Sequence, residues 1–194
     1  MPLLGTRVSA DPSSGGVPRG DVAPAGGMSR KALAYWPLAA FVVVADFVTK
    51  LLAVSYLEPA HIAHPLIGTI VQLTLTYNPG TAFGIEIGRG LAARGALVAV
   101  VLIALVVLYG MYRRAAASDV WLATALGLVS GGALGNLIDR LRSARGVVDF
   151  IDVRFGAWHF WTFNVADAGV SVGAILLAIV LWHHDKTRAA GRTS

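Results

Sequence analysis

Asp46, Asp139, Asp149 and Asp167 lie inside or beside stretches of the chain that are otherwise nearly free of charge. A carboxylate at the centre of a membrane helix costs at least ~2.5 kcal/mol, so one that is kept there faces a polar cavity and has a task. Asp149 and Asp167 suggest what the task is. If residues 149–163 fold back as a hairpin, the two ends return to one place and the two carboxylates converge. Such a pair holds one proton between its members, because repulsion and burial both oppose a second negative charge. It then supplies one base to activate water and one acid to protonate a leaving nitrogen, which is amide hydrolysis without a covalent enzyme intermediate. A plainer reading of Asp167 stands beside this one. Asn164 and Asp167 have the spacing of a helix N-cap and its third helical residue, so the carboxylate also fits a capping box.

Two further groups bear on the same chemistry. Asp46 and Lys50 are four apart and share a helix face, where an internal ion pair neutralises two costly charges and either orients the site or meets substrate. Asn136, Asp139 and Arg140 close a later span, behind Gly131, Gly132 and Gly135, whose missing side chains let another helix approach. Asp139 is expected to engage Arg140 and its neighbours there.

The elements that must position these residues are four charge-poor spans, Ala34–Val54, Gly95–Tyr112, Val120–Ile138 and Val165–Trp182. The shortest has 18 residues, roughly 27 Å as a helix, close to the hydrocarbon thickness of a bilayer. With 56% apolar and 14% charged residues, the expected class is an all-α polytopic membrane protein. It has four transmembrane helices and a small extracytoplasmic β-sheet or hairpin region. Residues 1–27, rich in Gly, Pro, Ser and Ala, are expected to be a disordered extension and lack the layout of a secretory signal. Met28, followed by Arg30 and Lys31, reads as the functional start. Arg30, Lys31, Arg113, Arg114, Lys186, Arg188 and Arg192 fall on one side of the spans. Although Arg89, Arg94, Arg140, Arg142, Arg145 and Arg154 fall on the other, the balance places both termini in the cytoplasm.

The two outward loops carry a strand signature. Val71, Leu73, Leu75 and Tyr77 alternate with Gln72, Thr74 and Thr76, then Asn78-Pro79-Gly80 supplies a turn. Ile151, Val153 and Phe155 alternate with Asp152 and Arg154, Gly156-Ala157 makes a tight turn, and Trp158–Phe163 returns. The aromatics of this second loop are those of an interfacial belt and suit a loop resting on the bilayer surface.

Other chemistries find little support. The chain has no cysteine, so thiol nucleophiles and Cys-ligated metal are excluded. Gly169-Val-Ser171-Val-Gly173 matches a nucleophile elbow in letters only, since it falls mid-helix rather than on a strand-to-helix turn. His61, His64, His183 and His184 lack metal-ligand spacing. The formal net charge of +5 sits in loops and tails and favours anionic headgroups over nucleic acid. A proton-coupled transporter would need carboxylates leading to both faces, and here they gather toward one; a non-catalytic assembly factor would leave Asp149 and Asp167 without a task.

Asp46-Phe-Val-Thr-Lys50, Asn78-Pro-Gly-Thr-Ala-Phe83, Gly135-Asn-Leu-Ile-Asp-Arg140, Val147-Val-Asp-Phe150 and Phe163-Asn-Val-Ala-Asp167 together resemble the bacterial lipoprotein signal peptidases, signal peptidase II. The resemblance runs in the family's order from about Lys31 to Trp182. It implies an intramembrane aspartic endopeptidase of the bacterial inner membrane, sensitive to globomycin. Such an enzyme removes the signal peptide of diacylglyceryl-modified prolipoproteins by cleaving before the lipidated cysteine. It implies Asp149 and Asp167 as the catalytic pair, with Asp46, Lys50, Asn78, Gly80, Asn136, Asp139, Arg140 and Asn164 shaping the site or holding substrate. No metal or other cofactor is implied. The expected partners are lipid-modified prolipoproteins and membrane lipids, not nucleic acid; a monomer is expected, on which the residues themselves are silent. Residues 28–184 would form the peptidase domain and 185–194 a short cytoplasmic tail. The implied fold opens sideways to lipid near the outer leaflet, so acyl chains stay in hydrocarbon while the scissile bond reaches the carboxylates.

Overall fold

The computed structural model describes residues 28–82, 85–86, 90–156 and 158–190. The expectation for residues 1–27, Phe83 of the second motif, Ala157 of the hairpin turn and the end of the tail lie outside the described residues. Four helices, α1 (Arg30–Leu57), α2 (Leu91–Arg114), α3 (Val120–Arg142) and α4 (Val165–Ala190), are each long and apolar enough to cross a membrane. They coincide with the four expected spans and most run past them at the ends. Backbone hydrogen bonding does not stop where the apolar run stops, and Lys and Arg are good helix formers.

The central element is α3, packed against each of the other three helices. Small residues make this possible: a Cβ on Gly131 would lie 2.8 Å from the Ala39 carbonyl oxygen of α1, and one on Gly132 would collide with the Ala166 carbonyl of α4. In contrast α2 presents Val100, Ile103 and Val106 outward, largely exposed, as expected of a surface that meets lipid rather than protein. Ser171 sits within α4, so the elbow pattern has no strained turn.

One end of the bundle is closed by backbone capping. Lys31 Nζ donates to the Tyr112 and Ala115 carbonyls at 3.1 and 2.5 Å, satisfying acceptors that the last turn of α2 leaves without partners. The Lys31 N–H reaches the Ala117 carbonyl at 3.0 Å, and His184 Nε2 lies 3.6 Å from Asp119 Oδ2. The start of α1, the end of α2, the start of α3 and the last turns of α4 therefore share one end. The aspartates of interest collect at the other.

At that second end lies an antiparallel sheet of four strands, β1 (Ala63–Ile67), β2 (Val71–Asn78), β5 (Val147–Phe155) and β6 (Trp158–Phe163), in the order β1-β2-β5-β6. Two further strands of two residues each, β3 (Thr81–Ala82) and β4 (Ile85–Glu86), pair with each other. The two patterned loops are therefore one structure: β2 and β5 pair with Thr76 opposite Asp149 and Asn78 opposite Val147. Joining them satisfies strand edges that separate hairpins would leave open. Gly146 permits the junction. Its φ is +99°, and a Cβ there would collide with the Asn78 backbone. The strand β1 has no alternation to announce it; it is exposed throughout and carries Pro65, which an edge strand tolerates.

One face of the sheet packs Leu75, Val148 and Phe150 against Ala53 and Leu57 of α1. The alternation in β5 does not sort as its apolar residues suggest. Asp152 is wholly buried while Phe155 is 56% exposed, and the strand register shifts between Ile151 and Val153. A ring of donors explains the reversal. Thr74 Oγ1, Arg154 and His159 Nε2 all hydrogen-bond the Asp152 carboxylate, at 3.1, 2.8 and 2.8 Å, so its burial leaves no acceptor unmet.

Candidate active site

Lys50 organises the polar end of the bundle. Its ammonium has three N–H groups and meets three acceptors: Asp46 Oδ2 at 2.7 Å, Asp139 Oδ2 at 2.9 Å and Asn136 Oδ1 at 2.9 Å. Lys50, Asp46 and Asp139 are each exposed by no more than 2%, and a buried ion pair holds when close charge contacts and further hydrogen bonds offset its desolvation. Asp46 Oδ2 meets the ammonium through charge alone, with no aligned hydrogen bond among the described residues. The carboxylates spend their remaining capacity on backbone. Asp46 Oδ1 accepts from Ala166 N at 2.9 Å in the first turn of α4, one of the N–H groups that a helix start leaves over. Asp139 Oδ2 accepts from Val148 N at 3.2 Å at the start of β5. One cluster thus ties α1, α3, α4 and the sheet together, and Gly135 makes room for it: a Cβ there would lie 2.6 Å from Asp46 Oδ2.

The expected Asp46–Lys50 contact is present, whereas that of Asp139 with Arg140 is not. Adjacent helical residues point to different faces. Asp139 pairs instead with Lys50 and with Arg142 Nε at 3.3 Å, and Arg140 Nη1 donates to the Asn136 carbonyl at 3.2 Å. The buried Arg140 Nε has no hydrogen-bond partner among the described residues. The Arg140 charge nevertheless acts on Asp167, Asp149 and Asp139.

From Lys50 the order passes outward through two asparagines. Because an ammonium only donates, the Asn136 oxygen must face Lys50, which turns Nδ2 toward Asp167 Oδ1 at 2.7 Å. Asn164, wholly buried, donates from Nδ2 to Asp149 Oδ1 at 2.6 Å. Its Oδ1 accepts from Asp167 N at 2.9 Å, while Asp167 Oδ2 accepts from Asn164 N at 3.2 Å. The capping box is real, and the cap that starts α4 also holds the Asp167 carboxylate near enough to Asp149 for its charge to act there. On the other side Gly80 N donates to Asn78 Oδ1 at 3.2 Å, which leaves the Asn78 amide nitrogen for Asp149, with which its side chain bonds.

Asp149 is 4% exposed. Burial and the neighbouring Asp167 charge push its carboxyl up to about 7, against the bonds from Asn164 and Asn78 and the more distant Lys50. An unfolded aspartate titrates near ~3.9, so folding takes up a proton here. The stabilisation is present below about pH 4 and is lost as pH rises through 7. Infrared titration of the carboxyl stretch should find Asp149 half-protonated near pH 7. With Asp167→Asn the midpoint should move down, since one of the two raising causes is gone; an unmoved midpoint would mean that the two carboxylates do not share a site.

Asp149 opens onto a cavity of about 500 Å³ whose walls include Tyr77, Asn78, His159 and Trp161. The pattern of charges in the sequence reaches Asp46, Lys50, Asp139, Asp149 and Asp167, and the structure gathers all of them with Asn78, Gly80, Asn136, Arg140 and Asn164. It overlooks Arg142, whose signal is its three-residue spacing from Asp139. It also overlooks the Asp152–His159 pair, which only the cross-strand pairing of Arg154 with His159 brings together. No group of three or more His, Cys, Asp or Glu residues among those described is arranged to hold a metal ion.

Four helices long and apolar enough to cross a membrane, with a buried ion cluster and two carboxylates at one end of the bundle, define a class of membrane protein with a polar site at that end. The family model described as Signal peptidase (SPase) II matches residues 38–183, and the chain belongs to that family. A lipoprotein signal peptidase of Rhodococcus jostii (strain RHA1) is 42% identical over 168 residues, covering 84% of this chain and 79% of the relative. One of Coxiella burnetii (strain Dugway 5J108-111) is 38% identical over 161 residues, covering 79% and 94%. Two solved structures of bacterial membrane enzymes align with TM-scores of 0.69 and 0.67 at 30% and 29% identity. They cover 78% and 80% of this chain and 88% and 97% of theirs. The protein is a bacterial membrane peptidase of the lipoprotein signal peptidase type.

Proposed function

We propose that this protein cleaves diacylglyceryl-modified prolipoproteins before the lipidated cysteine, with Asp149 and Asp167 as its catalytic pair. The observation that carries the reading is the convergence on Asn164, which donates to Asp149 and closes the capping box with Asp167. In this reading Asp149, whose carboxyl burial raises, brings the proton that the pair shares. Asp167 takes a proton from water as the water oxygen adds to the scissile carbonyl carbon. Asp149 gives its proton to the nitrogen as the C–N bond breaks, and transfer between the two carboxyls restores the pair. The remaining residues serve this geometry. Lys50, with Asp46 and Asp139, fixes Asn136 and through it Asp167; Asn78, held by Gly80, borders Asp149; the Arg140 charge offsets the negative charge that gathers on the pair.

The domain is residues 28–184, in the inner membrane with both termini cytoplasmic and the site toward the outer leaflet. Substrate enters from the side with its acyl chains still in lipid, so no charge or chain has to leave its preferred medium before the bond is cut. Purified protein in detergent should cleave a lipidated precursor peptide before its cysteine, and globomycin should stop it. Intact peptide after incubation with folded protein would overturn the reading.

A further inference from the structure

The buried carboxylate of Asp152 has no part in the chemistry above, yet it is wholly inaccessible and fully engaged by Thr74, Arg154 and His159. Burial acts to raise its carboxyl, but the bonds from Arg154, Thr74 and His159 outweigh it and hold Asp152 below the ordinary carboxylate range. It is therefore a fixed anion, and what it fixes is informative. A carboxylate accepts only, so His159 Nε2, at 2.8 Å, carries the hydrogen and Nδ1 is left for a second partner. His159 is about half exposed and stands in the wall of the same cavity that ends on Asp149.

The cavity is lined by residues of β2, β5 and β6 and by Pro79, and by none from the four helices. Acyl chains and an apolar signal segment stay among the helices and lipid, where leaving would cost their burial. The polypeptide beyond the cleaved bond must go the other way, toward water. Tyr77 and Trp161 offer it apolar walls, while Thr76, Thr162 and His159 offer polar edges suited to an extended backbone. We propose that this groove is the subsite for the segment that follows the lipidated cysteine, with the His159 ring hydrogen-bonding that segment and Asp152 acting as the positioning residue for His159. The inference rests on the peptidase reading and adds to it the part of the substrate that the sheet recognises.

The test compares two lipidated precursor peptides, one carrying several residues after the cysteine and one ending there as an amide. His159→Ala and Asp152→Asn should each raise KM about tenfold for the long peptide, the scale of one hydrogen bond lost, with kcat little changed. Neither parameter should move for the short peptide. A merely structural role would change both peptides alike, and that result, or no change with either, overturns the subsite. Should Asp152→Asn fail to fold, His159→Ala, at a half-exposed position, carries the comparison. Wild-type protein that cleaves neither peptide would remove the peptidase reading and this inference with it. Cleavage of both, with variants that do not tell them apart, removes the subsite alone.

Discussion

Asp149→Asn and Asp167→Asn should each lower kcat/KM for a lipidated precursor by ~10³-fold or more, about the contribution of general acid–base catalysis. Both replacements keep the size and the hydrogen-bond acceptor that Asn164 meets, so the fold should persist. At Asp149 the oxygen left over still accepts from Asn164 Nδ2. At Asp167 one oxygen still accepts from Asn164 N, while the new amide faces the Asn136 nitrogen that now donates to Oδ1. A modest loss of thermal stability is therefore expected from Asp167→Asn, and a smaller one from Asp149→Asn. Binding of globomycin and midpoints of thermal unfolding in detergent separate lost chemistry from lost structure. Near-normal turnover in either variant would sink the assignment, and near-normal turnover in Asp167→Asn alone would leave that residue as a helix cap.

Lys50→Met should be the most damaging single change to the fold. It removes the ammonium that Asp46 and Asp139 share, leaving Asp46 buried without a counter-charge among the described residues and Asp139 with Arg142 alone, a loss of about 3–5 kcal/mol. The effect should appear as a strongly lowered unfolding temperature or as failure to accumulate in the membrane. Activity should fall with it, because Asn136 loses the donor that sets its amide and Asp167 loses the orientation that follows. Asp139→Asn should be milder in stability, since its oxygen still serves Lys50 and Val148 N. Combining Lys50→Met with Asp46→Asn and Asp139→Asn should recover part of the stability lost by Lys50→Met alone, because the uncompensated charges go together. A Lys50→Met protein that unfolds at the wild-type temperature would show that the cluster carries no structural weight.

The sequence by itself determined the parts of this protein that depend on local period and on the cost of charge in hydrocarbon. Apolar runs of sufficient length set the four helices, and α1 to α4 stand where those runs stand. Period-2 alternation set β2, and the return strand β6 spans the residues expected of it. Spacing alone placed Asp46 and Lys50 on one helix face and drew Asn164 and Asp167 as a capping box, because both contacts close within a single turn.

Only the tertiary structure decided what those local pieces face. The pairing of β2 with β5 joins segments separated by two whole helices, and no period in either strand encodes its partner. Asp139 meets Lys50 rather than its neighbour Arg140 because α1 and α3 cross where Gly135 lets them touch, and a helix turns adjacent side chains apart. The burial of Asp152 runs against its polarity. Thr74, Arg154 and His159 reach it from three points of the sheet, and hydrogen bonds gathered over such distances, rather than the character of the residue itself, determine whether a carboxylate lies inside or out.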